Sequence, residues 1–236
     1  MLRCRIFFVL IVGLLSFDAQ AAGPVMHIIL GQQWLNVYAP DYTEEEKKLF
    51  LLGTVFPDIR YLGVIKREQS HFKGVTLQKV LKANNPFQRG MLFHSFVDEY
   101  REKFVHRVAI EKKISGVPTQ WRGTLLKLVE DQLLHEKYNW SQIKMFLGTI
   151  PEEEKNFGIE AHALTQWHTG LAFYFSATPS FILTQLSLFD QGILSLDAEQ
   201  VKLWSTLIPQ YAGDSHFQKY VDNLLKAFDK EIASKR

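Results

Sequence analysis

Apolar residues recur at three- and four-residue intervals along most of the chain, the period of amphipathic helices rather than of strands. Segments with that period run near residues 25–38, 43–55, 75–82, 87–110, 119–138, 159–176, 180–188, 197–207 and 215–232. Thr43-Glu44-Glu45-Glu46 has the form of a capping box with acids in the first turn. Pro118 precedes a long helical pattern, and Asp197 and Ser215 suit N-caps. No stretch shows the alternation of a half-buried strand. Glycines and prolines fall singly between helical segments, and there is no repeat, low-complexity tract or long linker. The expected fold is all-α, a single multi-helix domain over residues 22–236.

The first residues do not fit that pattern. Arg3 and Arg5 precede an apolar run from Ile6 to Phe17, and Ala19-Gln20-Ala21 follows as a small-x-small site. This is the form of a secretory signal peptide over residues 1–21, with a run too short to span a bilayer. Cleavage after Ala21, or alternatively after Ala22, delivers the mature chain to the periplasm or the exterior. The single cysteine, Cys4, leaves with the leader. The mature chain then has neither disulfides nor thiolate ligands, so a metal must be held by His, Asp, Glu or main chain. The formal charge is +2. Losing Arg3, Arg5 and Asp18 with the leader leaves +1, which gives no sign of a polyanion-binding surface. Basic residues cluster no further than short pairs such as Lys66-Arg67 and Lys112-Lys113.

The stretch Gly90 to Tyr100 carries the sharpest chemistry. His94 and Asp98 are four residues apart and share a helix face with Met91 and Val105. Phe93, Phe96, Val97 and Phe104 make the opposite face apolar too, so the helix should be buried. A buried carboxylate is costly unless paired or bound to metal. The pair is therefore either a hydrogen-bonded tie between helices or part of a metal site. His27 lies among Val25, Met26, Ile28, Ile29 and Leu30, where a core histidine is the ordinary expectation. Asp58 follows Pro57, which should hold Phe56 out of α conformation and set the carboxylate on a rigid turn. Taken alone it reads as a turn cap. His71 lies in a segment without clear periodicity. Together, three histidines and two aspartates from four segments suit a divalent cation such as zinc.

His27 with Gly31, Gly53-x-x-x-Pro57-Asp58, Ser70-His71-Phe72 and Gly90-x-x-x-His94-x-x-x-Asp98 occur in this order. In that order the chain resembles the zinc-dependent phospholipase C family. The family includes the catalytic domain of glycosylphosphatidylinositol-specific phospholipase D. More distantly the chain resembles the fungal single-strand-specific zinc nucleases, which share the all-α fold. The matched region runs from His27 to Asp98. The resemblance implies a phosphodiester-cleaving cluster of two zinc ions, with a third if ligands for it exist. Asp58, His71, His94 and Asp98 would hold one zinc. Asp98 would bridge to a second, which His27 and the amino-terminal main chain of Ala22 would also bind. Asp58 would be the catalytic residue that orients or deprotonates water. Relatives begin with Trp where this chain would begin with Ala22.

For a third zinc, relatives carry another His soon after the Asp and a later His/acid pair at helical spacing. Here Glu102 and His106 stand four and eight residues after Asp98. The best later pair is Asp131 and His135, with Glu130 as a second candidate. On a helical wheel the apolar residues centre opposite Asp131, which favours a solvated ion pair over a ligand role. His162, His168 and His216 read as structural or surface residues.

The expected function is hydrolysis of a phosphodiester, foremost a phospholipid headgroup. The alternatives are a single-strand nuclease of the same fold and a non-catalytic, metal-stabilised helical domain that binds a partner or lipid. No Gly-x-Ser-x-Gly nucleophile elbow or phosphate-binding glycine loop competes. Aromatics form 13% of residues, including Trp121, Trp140, Trp167 and Trp204. If exposed they could give peripheral membrane contact; otherwise they pack in the core. A nuclease would more often show a basic groove with stacking aromatics, and the chain carries no strong nucleic-acid signal.

Overall fold

The computed structural model describes residues 21–188 and 198–235, and these are all helix and connecting turns, with no strand among them. The leader, apart from Ala21, and the expected N-cap Asp197 lie outside the described residues. The major helices are α1 Pro24–Tyr38, α2 Glu44–Val55, α5 Pro86–Val108, α6 Thr119–His135, α9 Ala161–Tyr174, α10 Pro179–Ser187, α11 Ala198–Gly213 and α12 Ser215–Ala233. Short helices lie between them: α3 Arg67–Ser70, α4 Leu77–Leu81, α7 Ser141–Phe146 and α8 Glu152–Lys155. Two 3-10 segments, Phe56–Leu62 and Ile110–Lys113, follow α2 and α5. Of the short elements only α4 is legible as a periodic pattern, because a single turn is too brief to display one.

Helix α1 is the axis of the bundle. Every residue from Pro24 to Gly31 is buried, and α2, α5, α6 and α12 all pack against it. The Thr43–Glu46 capping box forms as expected, with Glu46 N donating to the Thr43 hydroxyl. Helix α5 starts with Asn85 accepting from Gln88 N, and Pro86 fills the first helical position. Helix α12 is capped by Asp214 rather than by Ser215, which sits one position inside. Helix α11 runs past the expected end at Leu207 and contains Pro209.

Helices α2 and α5 cross with their backbones in contact. A Cβ on Gly90 would lie 2.2 Å from the Phe50 carbonyl oxygen, and one on Gly53 would lie 2.3 Å from that of Phe87. Only glycine permits this approach, and it sets the carbonyl after Gly53, that of Thr54, against the turn of α5 that carries His94.

Two expectations fail on packing grounds. The region around Pro57 does not leave helical space: Phe56 has φ −57° and ψ −38°, and the chain tightens from α into 3-10 geometry. Asp131 is not on a solvated face. Helix α6 is surrounded by α1, α11 and α12, so its polar stripe of Lys127, Glu130, Asp131 and Gln132 is buried with its apolar one. Trp140, Trp167 and Trp204 are buried in the core, and Trp121 is half-buried.

Gly90→Ala should therefore destabilise the chain. Alanine gains about 1 kcal/mol of helix propensity, but overpacking of backbone against backbone costs about 1–3 kcal/mol or more. Thermal unfolding should show a lower midpoint, with Gly53→Ala behaving alike. An unchanged or raised midpoint in both would mean that the helices separate freely.

Candidate metal centre

Five side chains from four segments converge at one end of the α1–α2–α5 junction. His27 comes from the first turn of α1, Asp58 from the 3-10 segment, His71 from the residue after α3, and His94 and Asp98 from α5. His27 and His94 are 0% exposed and Asp58 is 6% exposed, so the cluster is closed to solvent except at His71 and Asp98. The His27 and His94 rings stack at 4.1 Å, and the His71 ring meets His94 edge-on at 4.7 Å. Asp98 Oδ1 lies 3.2 Å from His27 Nε2, and Asp98 Oδ2 lies 3.3 Å from His94 Nε2. Asp58 Oδ1 lies 3.7 Å from His71 Nε2 and 3.9 Å from His94 Nε2.

The backbone and two serines fix which ring nitrogens face inward. His94 donates through Nδ1 to the Thr54 carbonyl at 2.8 Å. Ser70, itself buried, donates to the Pro57 carbonyl at 3.1 Å and accepts from His71 Nδ1 at 2.9 Å. One hydroxyl thus ties the segment bearing Asp58 to the ring of His71. Ser95 accepts from Phe72 N at 3.0 Å and ties the same loop to α5. Both Nε2 atoms are then lone pairs in the neutral rings, and they face each other at 3.0 Å. That contact requires a proton or a cation between them. His27 Nδ1 and Nε2, Asp58 Oδ1 and Asp98 Oδ2 are buried without a hydrogen-bond partner among the described residues. One His27 nitrogen carries the ring proton; the other, with the two oxygens, is an unpartnered buried acceptor of the kind a metal ion would satisfy. Two sets have donor atoms within 4.8 Å of one another: His27, Asp58 and His94, and His71, His94 and Asp98. Imidazoles with carboxylates fit a borderline divalent ion.

The charges agree with this reading. Burial holds His27 neutral, pulling its pKa to about 4, with His94 adding to the effect. Burial also lowers His71. Burial opposes charge on His94, but Asp98 and Asp58 outweigh it and raise its pKa. Burial alone would raise both carboxyls; His94 with His71 reverses this for Asp58, and His94 with His27 reverses it strongly for Asp98.

The other candidates separate from this cluster. Ala22 N donates to Asp98 Oδ1 at 2.9 Å, so the main chain of residue 22 does reach the cluster. Asp131 accepts from Val25 N, Met26 N and Tyr174 Oη at 3.3, 3.1 and 2.8 Å, capping the start of α1. Burial, with Glu130 adding to it, pushes its carboxyl up to about 7. Gly23 leaves room for it, since a Cβ there would lie 2.2 Å from Asp131. His135 stacks on Trp140 and makes no pair with Asp131. Glu130 is bound by Arg101 and by Tyr220, each at 2.7 Å. His106 is exposed and pairs with Glu102 at 3.6 Å. His168 is structural, bridging the Leu147 carbonyl and Glu154. His216 pairs with Asp214 on the surface, and His162 is exposed.

A cleft of about 260 Å³ opens beside the cluster at His71 and Asp98. Arg67 and Lys73 face Glu68, Glu99 and Glu102 around it, so its charge is mixed with acid in excess, and Phe72, 39% exposed, adds an aromatic ring. Ala21 and Ser95 also line it. Sequence reading missed the roles of Thr54, Ser70 and Ser95. Only the adjacency of Ser70 to His71 and of Ser95 to His94 hinted at them.

No protein-family model matches the chain, and neither the curated proteins nor the solved structures contain a match.

Divalent metal should bind with proton release. In the metal-free protein the raised pKa of His94 contributes stability that is present below 6.5 and lost as pH rises through its folded value. Metal competes with that same proton. The rise in melting temperature on adding zinc should therefore grow from ~pH 6 to ~pH 8. A zinc increment independent of pH in that window would exclude His94 as a ligand.

Proposed function

We propose that the chain is a metal-dependent phosphodiester hydrolase, with phospholipid headgroups as the foremost substrate class and zinc as the metal. The observation that carries this is the pair of Nε2 atoms of His71 and His94, facing each other beside unpartnered oxygens of Asp58 and Asp98 at the end of a cleft. His27, Asp58, His71, His94 and Asp98 would hold the metal, with the main chain of Ala22 next to Asp98. The metal would supply Lewis acidity, lower the pKa of bound water and offset charge on the transferring phosphoryl group.

The chain's own residues have separate tasks. Asp58 is low in pKa and therefore ionised, and its Oδ1 is free of hydrogen bonds, so it can accept a proton from attacking water. Thr54 and Ser70 hold His94 and His71 with Nε2 inward. Water oxygen would bond to phosphorus while the bond from phosphorus to the leaving oxygen breaks, the proton passing finally to that oxygen. The excess of acid over Arg67 and Lys73 in the cleft suits the cationic end of a zwitterionic headgroup, and the exposed Phe72 in its lining suits a lipid neighbour.

The direct test offers phosphatidylcholine, other phospholipids, bis-nitrophenyl phosphate and single-stranded DNA to zinc-loaded protein. Release of a phosphorylated headgroup is expected, and Asp58→Asn should lower the rate about 10²–10⁴-fold. Nucleotide release from DNA would move the assignment to a nuclease. Zinc binding with wild type and Asp58→Asn equally inactive on every substrate would leave a metal-stabilised binding domain.

Export is part of the same proposal. Ala21 and Ala22 are buried against the cluster, so cleavage after Ala21 would put a free amine beside Asp98. Amino-terminal sequencing of the exported protein should begin at Ala22. Recovery of intact Met1 on exported protein would remove the terminal amine from the ligand set.

A further inference from the structure

A second groove, of about 320 Å³, shares Glu99 with the metal cleft and continues along α5 toward its end. Phe96, Tyr100, Lys103 and Arg107 fall on one stripe of that helix and line it. Phe96 and Phe104 are buried beneath it, Val75 walls one side ahead of α4, and Glu231 and Lys235 close the other at the end of α12. The Tyr100 ring is held by the core, edge-on to Phe228 at 5.2 Å and stacked on Phe96 at 6.3 Å.

Most of the charge in this wall is committed. Glu99 accepts from Gly74 N at 2.7 Å and pairs with Lys103 at 3.6 Å, and Glu231 pairs with Lys235. Two groups are left over, and both are donors. The Arg107 guanidinium lies over the Phe104 ring, 4.9 Å from its centre, and forms no ion pair among the described residues. The Tyr100 hydroxyl has no hydrogen-bond partner among them either. Burial, with Glu231 adding to it, pushes the Tyr100 pKa up to about 12, so the phenol keeps its proton at neutral pH. A guanidinium and a phenol beside an aromatic floor suit an acceptor-only head on an apolar stem. The planar fork of an arginine matches the two oxygens of a carboxylate, and one uncommitted cation matches one negative charge.

We propose that this groove binds an alkyl carboxylate of the fatty-acid class, its head on Arg107 and Tyr100 and its stem over Phe96 and Phe104. The site is separate from the metal cluster and does not depend on the hydrolase reading.

Calorimetric titration of the purified protein with sodium decanoate, below its micelle-forming concentration, tests it. About one equivalent should bind. Acetate, which has no stem, and decyltrimethylammonium, whose head charge is reversed, should not bind measurably. Decanol should bind about tenfold or more weakly than decanoate, because a charged acceptor makes the stronger hydrogen bonds. Arg107→Gln should weaken decanoate about tenfold or more, and Arg107→Lys should recover part of the loss, keeping the charge without the fork. Tyr100→Phe should weaken it about three- to tenfold. Arg107 is exposed, so its variants should fold, which circular dichroism checks. Wild-type affinity in folded Arg107→Gln and Tyr100→Phe would overturn the proposal. So would equal affinity for decanol and decanoate, which reduces the groove to an apolar patch. Decanoate binding that is lost on adding EDTA but kept in Arg107→Gln would put the carboxylate on the metal cluster instead. Absence of decanoate binding, with phosphatidylglycerol vesicles retained by wild type and released by Arg107→Gln, would replace the proposal with a membrane-surface contact.

Discussion

Helix α1 is buried on every side from Pro24 to Gly31, and the polar architecture follows from that constraint. The first N–H groups of a helix have no partner within it, and in a dry interior water cannot supply one. Gly23 has no side chain to cap the helix. Asp131 reaches from α6 to Val25 and Met26 instead, while Asp98 reaches from α5 to Ala22, in the stretch of chain just before the cap position. Each carboxylate suits the positive end of the helix dipole. Each also brings negative charge inside, and burial, with Glu130 adding to it, lifts the Asp131 carboxyl far from its ordinary range. Anchoring the start of the central helix thus concentrates acid at one end of the bundle, where His27, His71 and His94 also lie.

Two buried charged groups on α5 and α6 show how differently such charge can be handled. Glu130 has both oxygens occupied, one by Arg101 and one by Tyr220, so α5, α6 and α12 are joined by a network closed around that carboxylate. The histidine–aspartate cluster has the same burial and contrary bookkeeping: acceptors face acceptors, and donors are spent outward on Thr54 and Ser70. A closed network needs nothing added. An arrangement with outward donors and inward lone pairs is incomplete without a proton or a cation, and that difference separates it from the closed network around Glu130.

The long helices were legible because each displays several turns of apolar period, and the capping box at Thr43–Glu46 and Pro118 before α6 mark boundaries with known chemistry. The five cluster residues were legible as residue types in unusual company, His94 and Asp98 most of all, since their spacing puts both on one face. Their convergence is a property of tertiary packing. It depends on the Gly53–Gly90 crossing, which sequence displays only as two glycines. Asp131 was misread because a helical wheel knows one helix, whereas the environment of α6 is set by the helices packed around it, α1, α10, α11 and α12. Lys127 escaped notice for the same reason: on a wheel it is one more solvated lysine.

Stability gives no reason to keep this cluster. Replacing buried ionic groups by well-packed apolar ones is often neutral or stabilising by about 1–4 kcal/mol. The cap on α1 needs only Asp131, and the crossing of α2 and α5 needs only its two glycines. Nothing in the packing demands that His27 stack on His94, that Ser70 fix the ring of His71, or that Asp58 hold an unpartnered oxygen beside both. Burial and neighbouring charge shift the pKa values of all five side chains, which is the usual signature of groups arranged for chemistry rather than for cohesion. The cleft meets the cluster at His71 and Asp98, its two members that reach toward solvent, and that opening is what a buried tie between helices would have no use for.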